Sequence, residues 1–204
     1  MPEIPTFSPA LLARFAEPFD DPDWLYELKY DGFRALAYVR AAGVELRSRT
    51  DHVYRQFAPL CAAIAAELTG IEAVVDGEIA CLDDQGRSQF DALMDRRVEP
   101  SFVAFDVLWH AGTDLRALPL WKRKQILRVL LPKRSAALLY ADNVARRGTA
   151  LYRIAREQDL EGIVAKWRHG TYSAEPPASW LKIKNPDYSQ AVGRHERFER
   201  KKAG

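Results

Sequence analysis

Residues 24–34 read Trp-Leu-Tyr-Glu-Leu-Lys-Tyr-Asp-Gly-Phe-Arg, an alternation of apolar and charged side chains that ends at a glycine. Successive side chains of a strand point to opposite faces, so Glu27, Lys29 and Asp31 share one face, while three aromatic residues and Leu28 share the other. A lysine is a nucleophile only in its neutral form, which requires surroundings that lower its pKa. The segment therefore predicts either a nucleophilic lysine on a half-buried strand or an exposed strand face with alternating charges.

Strand-like and helix-like segments follow one another in irregular order along the rest of the chain. The pair Phe33–Arg40 and Val44–Ser48 is joined through Ala-Ala-Gly, which suits a hairpin. Residues 57–68 place apolar side chains at helical spacing and stop before Gly70. Further strands are predicted at 71–82, 102–109, 162–167 and 180–184, and further helices at 121–131 and 150–158. This order predicts an α+β fold of antiparallel sheets flanked by helices in one continuous domain.

The composition is that of a folded chain. Of the 204 residues, 48% are apolar, enough to bury a substantial core. The formal net charge of +2 means that any binding to nucleic acid must depend on local basic patches. Cys61 and Cys81 lie in apolar surroundings without a CxxC pair, which predicts reduced core thiols. The N-terminus lacks a secretory pattern and no segment is long enough to cross a bilayer, so we expect a soluble cytoplasmic protein.

Carboxylates interrupt two otherwise apolar strands. Asp76 and Glu78 flank a glycine within Val-Asp-Gly-Glu-Ile, and Glu161 begins the run Glu-Gly-Ile-Val-Ala-Lys. A buried carboxylate is costly unless it meets a cation, a metal or hydrogen-bond donors. The alternative for Asp76 and Glu78 is that both simply point to solvent. These segments are candidates for ligand or metal contacts.

Two further strands carry an aromatic residue and a pair of lysines. Phe105 lies within Phe-Val-Ala-Phe-Asp-Val-Leu-Trp, where its ring could stack on a base, although core packing is the commoner use of such a residue. Trp180-Leu-Lys-Ile-Lys places Lys182 and Lys184 on one strand face, where two ammonium groups suit phosphate oxygens. Lysines that protect an edge strand from aggregation are the alternative.

Taken in order, these five segments resemble the nucleotidyltransferase motifs of ATP-dependent DNA ligases, RNA ligases and capping enzymes. The run is most similar to the adenylation domain of bacterial ATP-dependent DNA ligases, including the ligase module of end-joining enzymes, and extends from Pro18 to Asn185. The resemblance implies an ATP-grasp-like nucleotidyltransferase core. We expect residues 1–185 to form the adenylation domain and residues 186–204 to form a basic tail.

The resemblance also implies a reaction and its site. Lys29 would attack the α-phosphate of ATP to form lysyl-AMP, AMP would pass to a 5′-phosphate at a nick, and attack by a 3′-hydroxyl would seal the strand. Glu161 would bind Mg²⁺. The implied nucleotide contacts are Glu27 with adenine, Phe105 stacked on adenine, Glu78 with ribose, Arg34 near the phosphates, Arg49 with the nucleotide or the 5′-phosphate of the nick, and Lys182 and Lys184 with the α-phosphate.

Other functions remain open from the sequence. An RNA ligase uses the same motifs, a GTP-dependent capping enzyme is more distant, and a non-catalytic nucleotide- or DNA-binding module belongs to a different class. Ligases of this type continue into an OB-fold domain, and the 20 residues after Lys184 are too few to form one. AMP attachment to Lys29 is therefore better supported than completed strand joining.

The expected partner is nicked double-stranded DNA, with other DNA-repair proteins beside it and a monomer as the working unit. Two basic segments could contact DNA phosphates. One is the tail from Arg194 to Lys202. The other lies on or near one predicted helix, where a solvated helix face is the commoner explanation; it comprises Lys122, Arg123, Lys124, Arg128, Lys133 and Arg134.

Overall fold

Two β-sheets carry the fold of the computed structural model, which describes residues 4–191. The strands are β1 (Leu12–Arg14), β2 (Trp24–Leu28), β3 (Phe33–Arg40), β4 (Gly43–Arg47), β5 (Ala73–Ala80), β6 (Ser101–His110), β7 (Thr113–Asp114), β8 (Leu138–Tyr140), β9 (Asn143–Ala145), β10 (Gly162–Trp167) and β11 (Trp180–Lys184). The helices are α1 (Ala58–Glu67), α2 (Phe90–Asp95), α3 (Leu120–Leu130) and α4 (Gly148–Glu157), with short 3₁₀ turns at Arg55–Phe57 and Ser189–Ala191.

The first sheet has the strand order β1-β11-β10-β2-β9 and two chemically different faces. Its pairings are antiparallel except for the parallel pair β1 and β11. Apolar side chains such as Tyr26, Ile163 and Ile183 form one face, which helix α4 covers. The alternate positions, including Glu27 and Lys182, form the other face, which we call the ligand face.

The second sheet, of order β4-β3-β5-β6-β7, packs against the ligand face. Leu36 and Val74 of this sheet share one buried cluster with Leu25 and Trp180 of the first sheet. Its other side is covered by α1 and α3, and β8 adds a parallel strand beside β6. A cleft remains between the sheets at the ends of the strands that carry the motif residues.

The predicted α+β class and every predicted strand and helix are confirmed, with end shifts of a few residues. The sequence patterns did not predict α2 or the short strands β1, β7, β8 and β9. Such strands are too short to show an alternation, and neighbours distant in sequence fix them. The two parallel pairs also make the sheets mixed rather than purely antiparallel.

Two details fix the chain around Lys29. A Cβ atom at Gly32 would lie 2.0 Å from the carbonyl oxygen of Ile79, so only glycine permits this approach of β3 to β5. Asp31 accepts a hydrogen bond from the hydroxyl of buried Tyr188 at 3.0 Å. Residues just beyond 185 therefore pack against the domain, whereas the Arg194–Lys202 segment lies outside the described residues.

Candidate active site

Strand register brings the separate motifs onto the ligand face. Glu27 pairs with Val164, and the backbone N–H of Lys29 donates to the carbonyl of Gly162 at 3.0 Å. Lys182 pairs with Val164 from the other side. Because paired residues point to the same face of a sheet, the carboxylate, the lysines and the intervening small residues meet on one surface.

The cleft above this surface encloses about 390 Å³ of empty space, including its open mouth. Apolar and aromatic side chains form most of its wall, and charged groups converge on it. Its lining residues are Leu12, Glu27, Leu28, Lys29, Tyr30, Arg34, Glu78, Phe105, Val164, Lys166 and Trp180. A largely apolar cleft with a few convergent polar groups is the usual form of a small-molecule site.

The first charged group is the open cluster, formed by Glu161, Lys29 and Lys184. Glu161 Oε2 lies 2.6 Å from Lys29 Nζ, and its Oε1 lies 2.9 Å from Lys184 Nζ. Glu161 is buried, but the side chains of Lys29 and Lys184 are 19% and 46% exposed. Solvent and ligand can therefore reach both ammonium groups.

The second charged group is the buried cluster, formed by Glu27, Lys124 and Lys166. The two oxygens of Glu27 bind Lys124 Nζ at 2.7 Å and Lys166 Nζ at 2.6 Å, and all three side chains are 5% exposed or less. Burial lowers the pKa of Lys166 to about 8, although Glu27 opposes this shift. Burial also disfavours the charge on Lys124, but attraction to Glu27 outweighs it and raises the pKa of Lys124.

Sequence reasoning missed both lysines of the buried cluster. Lys166 has the period-two spacing from Gly162 and Val164 that places it on the ligand face, so alternation along β10 could have revealed it. The hypothesis that the basic run on α3 forms one DNA-contacting face is wrong for Arg123 and Lys124. Arg123 forms a fully buried bidentate pair with Asp106 at 2.8 Å, and Lys124 points to Glu27.

Arg34 lies at the base of the cleft, where its guanidinium makes two 2.6 Å hydrogen bonds to Asp76. It stacks on the Phe105 ring, with 4.7 Å from Cζ to the ring centroid. The hydroxyl of Tyr172 also donates to Asp76, at 2.6 Å. Asp76 is completely buried and does not point to solvent, and its contacts hold Arg34 beside the aromatic wall.

Glu78 lies in the cleft wall without an ion pair to any residue within 4–191. Burial raises its pKa to about 7, against the pull of Lys29 and Arg34. The nearby carboxylates of Glu161 and Asp76 add to the rise. A part of the cleft therefore holds a carboxylate that a bound cation or hydrogen-bond donor would stabilise.

Two predicted phosphate contacts, Lys182 and Arg49, are not among the residues that line the cleft. Burial lowers the pKa of Lys182, and the charges of Lys184, Lys29 and Arg49 act in the same direction. Arg49 itself is exposed. Among residues 4–191, three cations and one carboxylate, Glu161, act on the charge of Lys182, and this excess of positive charge suits an anion.

No cluster of three or more metal-binding side chains occurs within residues 4–191. Magnesium seldom needs one, because it is usually held by one or two carboxylates together with substrate phosphates and water. Glu161 and Glu78 supply carboxylate oxygens of this kind. Within the same residues, the structure contains no helix with the length and apolar character needed to span a membrane.

The two sheets enclose an aromatic cleft. A lysine at the end of a strand faces a carboxylate there, and further cations lie beside it. This combination defines a nucleotidyltransferase. Residues 11–184 match the family described as the ATP dependent DNA ligase domain. The chain belongs to this family.

Relatives and solved structures agree with the assignment. The multifunctional non-homologous end joining protein LigD of Pseudomonas aeruginosa is 31% identical over 179 residues, 85% of this chain and 21% of that protein. The SPbeta prophage-derived DNA ligase-like protein LigB of Bacillus subtilis is 30% identical over 193 residues, 91% of this chain and 70% of that protein. The chain thus spans about a fifth of LigD. The structure of mycobacterial DNA ligase D complexed with ATP and MES superimposes with a TM-score of 0.76 at 28% identity, covering 87% of this chain and 60% of that one.

Proposed function

We propose that this protein is the catalytic core of an ATP-dependent DNA ligase and that Lys29 carries AMP as a covalent intermediate. The observation that supports the proposal most directly is the 2.6 Å contact between Lys29 Nζ and Glu161 Oε2 beside the aromatic cleft. A nucleophilic lysine must lose a proton before it attacks, and a cation held by Glu161 would favour that loss by repelling the ammonium form of Lys29.

Three transfers follow from this arrangement. The nitrogen of Lys29 bonds to the α-phosphorus of ATP as the bond to the pyrophosphate oxygen breaks. An oxygen of a 5′-phosphate at a nick next attacks the same phosphorus and releases the lysine. The neighbouring 3′-hydroxyl then attacks the 5′-phosphate and releases AMP, which closes the strand. Each step needs in-line positioning and positive charge near phosphate oxygens.

In this proposal, different side chains of the cleft bind different parts of the nucleotide. Adenine lies against Phe105 with its edge toward Glu27. The carboxylate of Glu27 is already held by two ammonium groups, so it is oriented before the base arrives. Glu78 bonds the ribose hydroxyls. Arg34 supports the aromatic wall and faces the nucleotide.

The phosphates lie over the cations at the mouth of the cleft. Lys182 and Lys184 hold the α-phosphate, and Arg49 contacts the nucleotide or the 5′-phosphate of the nick. Glu161, with Glu78 nearby, would hold Mg²⁺, which supplies positive charge at the phosphate oxygens when bound. The raised pKa of Glu78 supports this arrangement, because Glu78 forms no ion pair with any residue of 4–191 and a bound cation would stabilise its charge.

Intact mass after incubation with ATP and Mg²⁺ tests the proposal. We expect a gain of one adenylyl group, lost in Lys29→Ala and in Lys29→Arg, which keeps the charge without the nucleophile. Lys122→Ala removes an exposed lysine from α3 and serves as the matched control that still gains AMP. An unchanged wild-type mass with ATP bound would instead identify a non-catalytic binding module.

Nicked DNA is the substrate that we propose, because the relatives are named for DNA ligation and end joining. Sealing of nicked duplex DNA, compared with nicked RNA under the same conditions, separates this function from that of an RNA ligase. We further propose that the protein works as a monomer in the bacterial cytoplasm, beside other DNA-repair proteins.

A further inference from the structure

The structure assigns a function to Arg14, which lies on strand β1 at the edge of the ligand face: we propose that Arg14 binds the pyrophosphate portion of ATP and the pyrophosphate that leaves. Strand β1 pairs in parallel with β11, and Arg14 is the direct partner of Lys182. The residue two positions earlier, Leu12, pairs with Trp180 and lines the cleft. Alternation therefore turns Arg14 toward the same face as Lys182.

The backbone of β1 is fixed on both sides of Arg14. The N–H of Phe15 donates to the carbonyl of Lys182 at 3.0 Å, and the N–H of Leu11 donates to the carbonyl of Ser173 at 3.0 Å. Upstream, the N–H of Ala10 donates to the buried hydroxyl of Tyr172 at 2.8 Å. Arg14 thus extends from a held strand, and its guanidinium is exposed without an ion pair to another residue among 4–191.

The position of Arg14 relative to Lys29 suits the leaving group. In the sheet order β1-β11-β10-β2, Arg14 is level with Glu27 and three strand spacings, about 14 Å across the sheet, from it; Lys29 lies two residues beyond Glu27. In-line transfer places the leaving pyrophosphate opposite the attacking nitrogen. With the α-phosphate over β10 and β11, the β- and γ-phosphates extend toward β1, where Arg14 offers a forked donor for phosphate oxygens.

This inference rests on the proposed function. The alternative is that Arg14 only protects an edge strand from aggregation, and the two roles predict different effects of removing Arg14. Pyrophosphate takes part in adenylation of the protein but not in the sealing of DNA that already carries AMP on its 5′-phosphate. We expect Arg14→Ala to lower kcat/KM for ATP in lysine adenylation about 10- to 100-fold. Pyrophosphate-driven release of AMP from the adenylated protein should slow similarly.

Sealing of a pre-adenylated nick by the same variant should stay within about twofold of the wild type, and Arg14→Lys should recover part of the loss. The matched control is Arg153→Ala, an exposed arginine on α4 beneath the opposite face of the sheet. It should leave every rate unchanged. An Arg14→Ala protein that adenylates like the wild type, or that loses sealing of pre-adenylated DNA to the same extent, overturns the role of Arg14. A wild-type protein that never acquires AMP overturns the proposed function and this inference with it.

Discussion

The buried cluster and the open cluster have the same composition, one glutamate between two lysines, but differ in access to solvent. Glu27 binds Lys124 and Lys166, all shielded, whereas Glu161 binds two lysines that remain partly exposed. The two sets are linked through β2, which supplies Glu27 to one and Lys29 just after its end to the other. The difference teaches that burial of the lysines, rather than the charge pattern, separates a cluster fixed in place from one that solvent and ligand can reach.

The largest effect on stability should come from removing the carboxylate of the buried cluster. Glu27→Gln leaves two shielded ammonium groups without a counter-charge, and breaking a buried ion pair in this way costs about 3–5 kcal/mol. Glu161→Gln should cost about 1 kcal/mol or less, because its lysines can turn toward water. Urea midpoints and slopes measure both changes. Equal losses in the two variants would contradict the distinction between the clusters.

Glu78 provides a third case, a carboxylate beside the open cluster that forms no ion pair with a lysine among residues 4–191. Its pKa in the folded protein is about 7, above the ordinary value of 4.5. Between these two values the folded state binds the extra proton, so this group makes stability fall as pH rises. Glu78→Gln removes that dependence.

The expected gain from Glu78→Gln is roughly 3 kcal/mol at pH 8 and close to zero below pH 4.5. Unfolding curves collected from pH 4 to pH 8 for the variant and the wild type measure the difference. A difference that does not change with pH would show that Glu78 has the same pKa in the folded and the unfolded protein, which contradicts this prediction.

How far the sequence predicts these features depends on whether partners are near or distant in the chain. Alternation along residues 24–31 correctly put Glu27 and Lys29 on one face, because that property depends only on the strand. It could not reveal that Glu27 meets Lys124, which lies 97 residues away on a helix. From sequence, Lys124 was indistinguishable from its exposed neighbour Lys122.

The elements of the fold also differ in whether the sequence predicts them, according to whether their contacts are near or distant in the chain. Long strands and helices with regular apolar spacing were predicted because their own side chains specify them. Strand β1 has three residues, and its place beside β11 depends on hydrogen bonds to distant partners. The roles assigned to single residues of the cleft came from the order of the motifs, and they remain predictions that the variants above and below can test.

A smaller effect is expected for one lysine of the buried cluster. Lys124→Met leaves Glu27 paired with Lys166 but deprives the carbonyl of Ala141 of its 2.8 Å hydrogen bond. An unsatisfied buried acceptor costs about 1–2 kcal/mol. Urea unfolding measures this loss, and Lys122→Met is the matched control, since Lys122 is exposed on the same helix. A Lys124→Met protein as stable as the control would mean that the buried cluster tolerates the loss of a charge.

The smallest effect should belong to Lys184, the most exposed member of the open cluster. Its pair with Glu161 spans 2.9 Å, but its side chain is 46% exposed, so screening by water and salt leaves it little net contribution. We expect Lys184→Met to change the free energy of unfolding by less than about 0.5 kcal/mol at physiological ionic strength. Adenylation should nevertheless slow about 10-fold or more, because the ammonium group would no longer be available to the α-phosphate. A stability loss as large as that of Lys124→Met, accompanied by normal adenylation, would reverse the roles proposed for the two clusters.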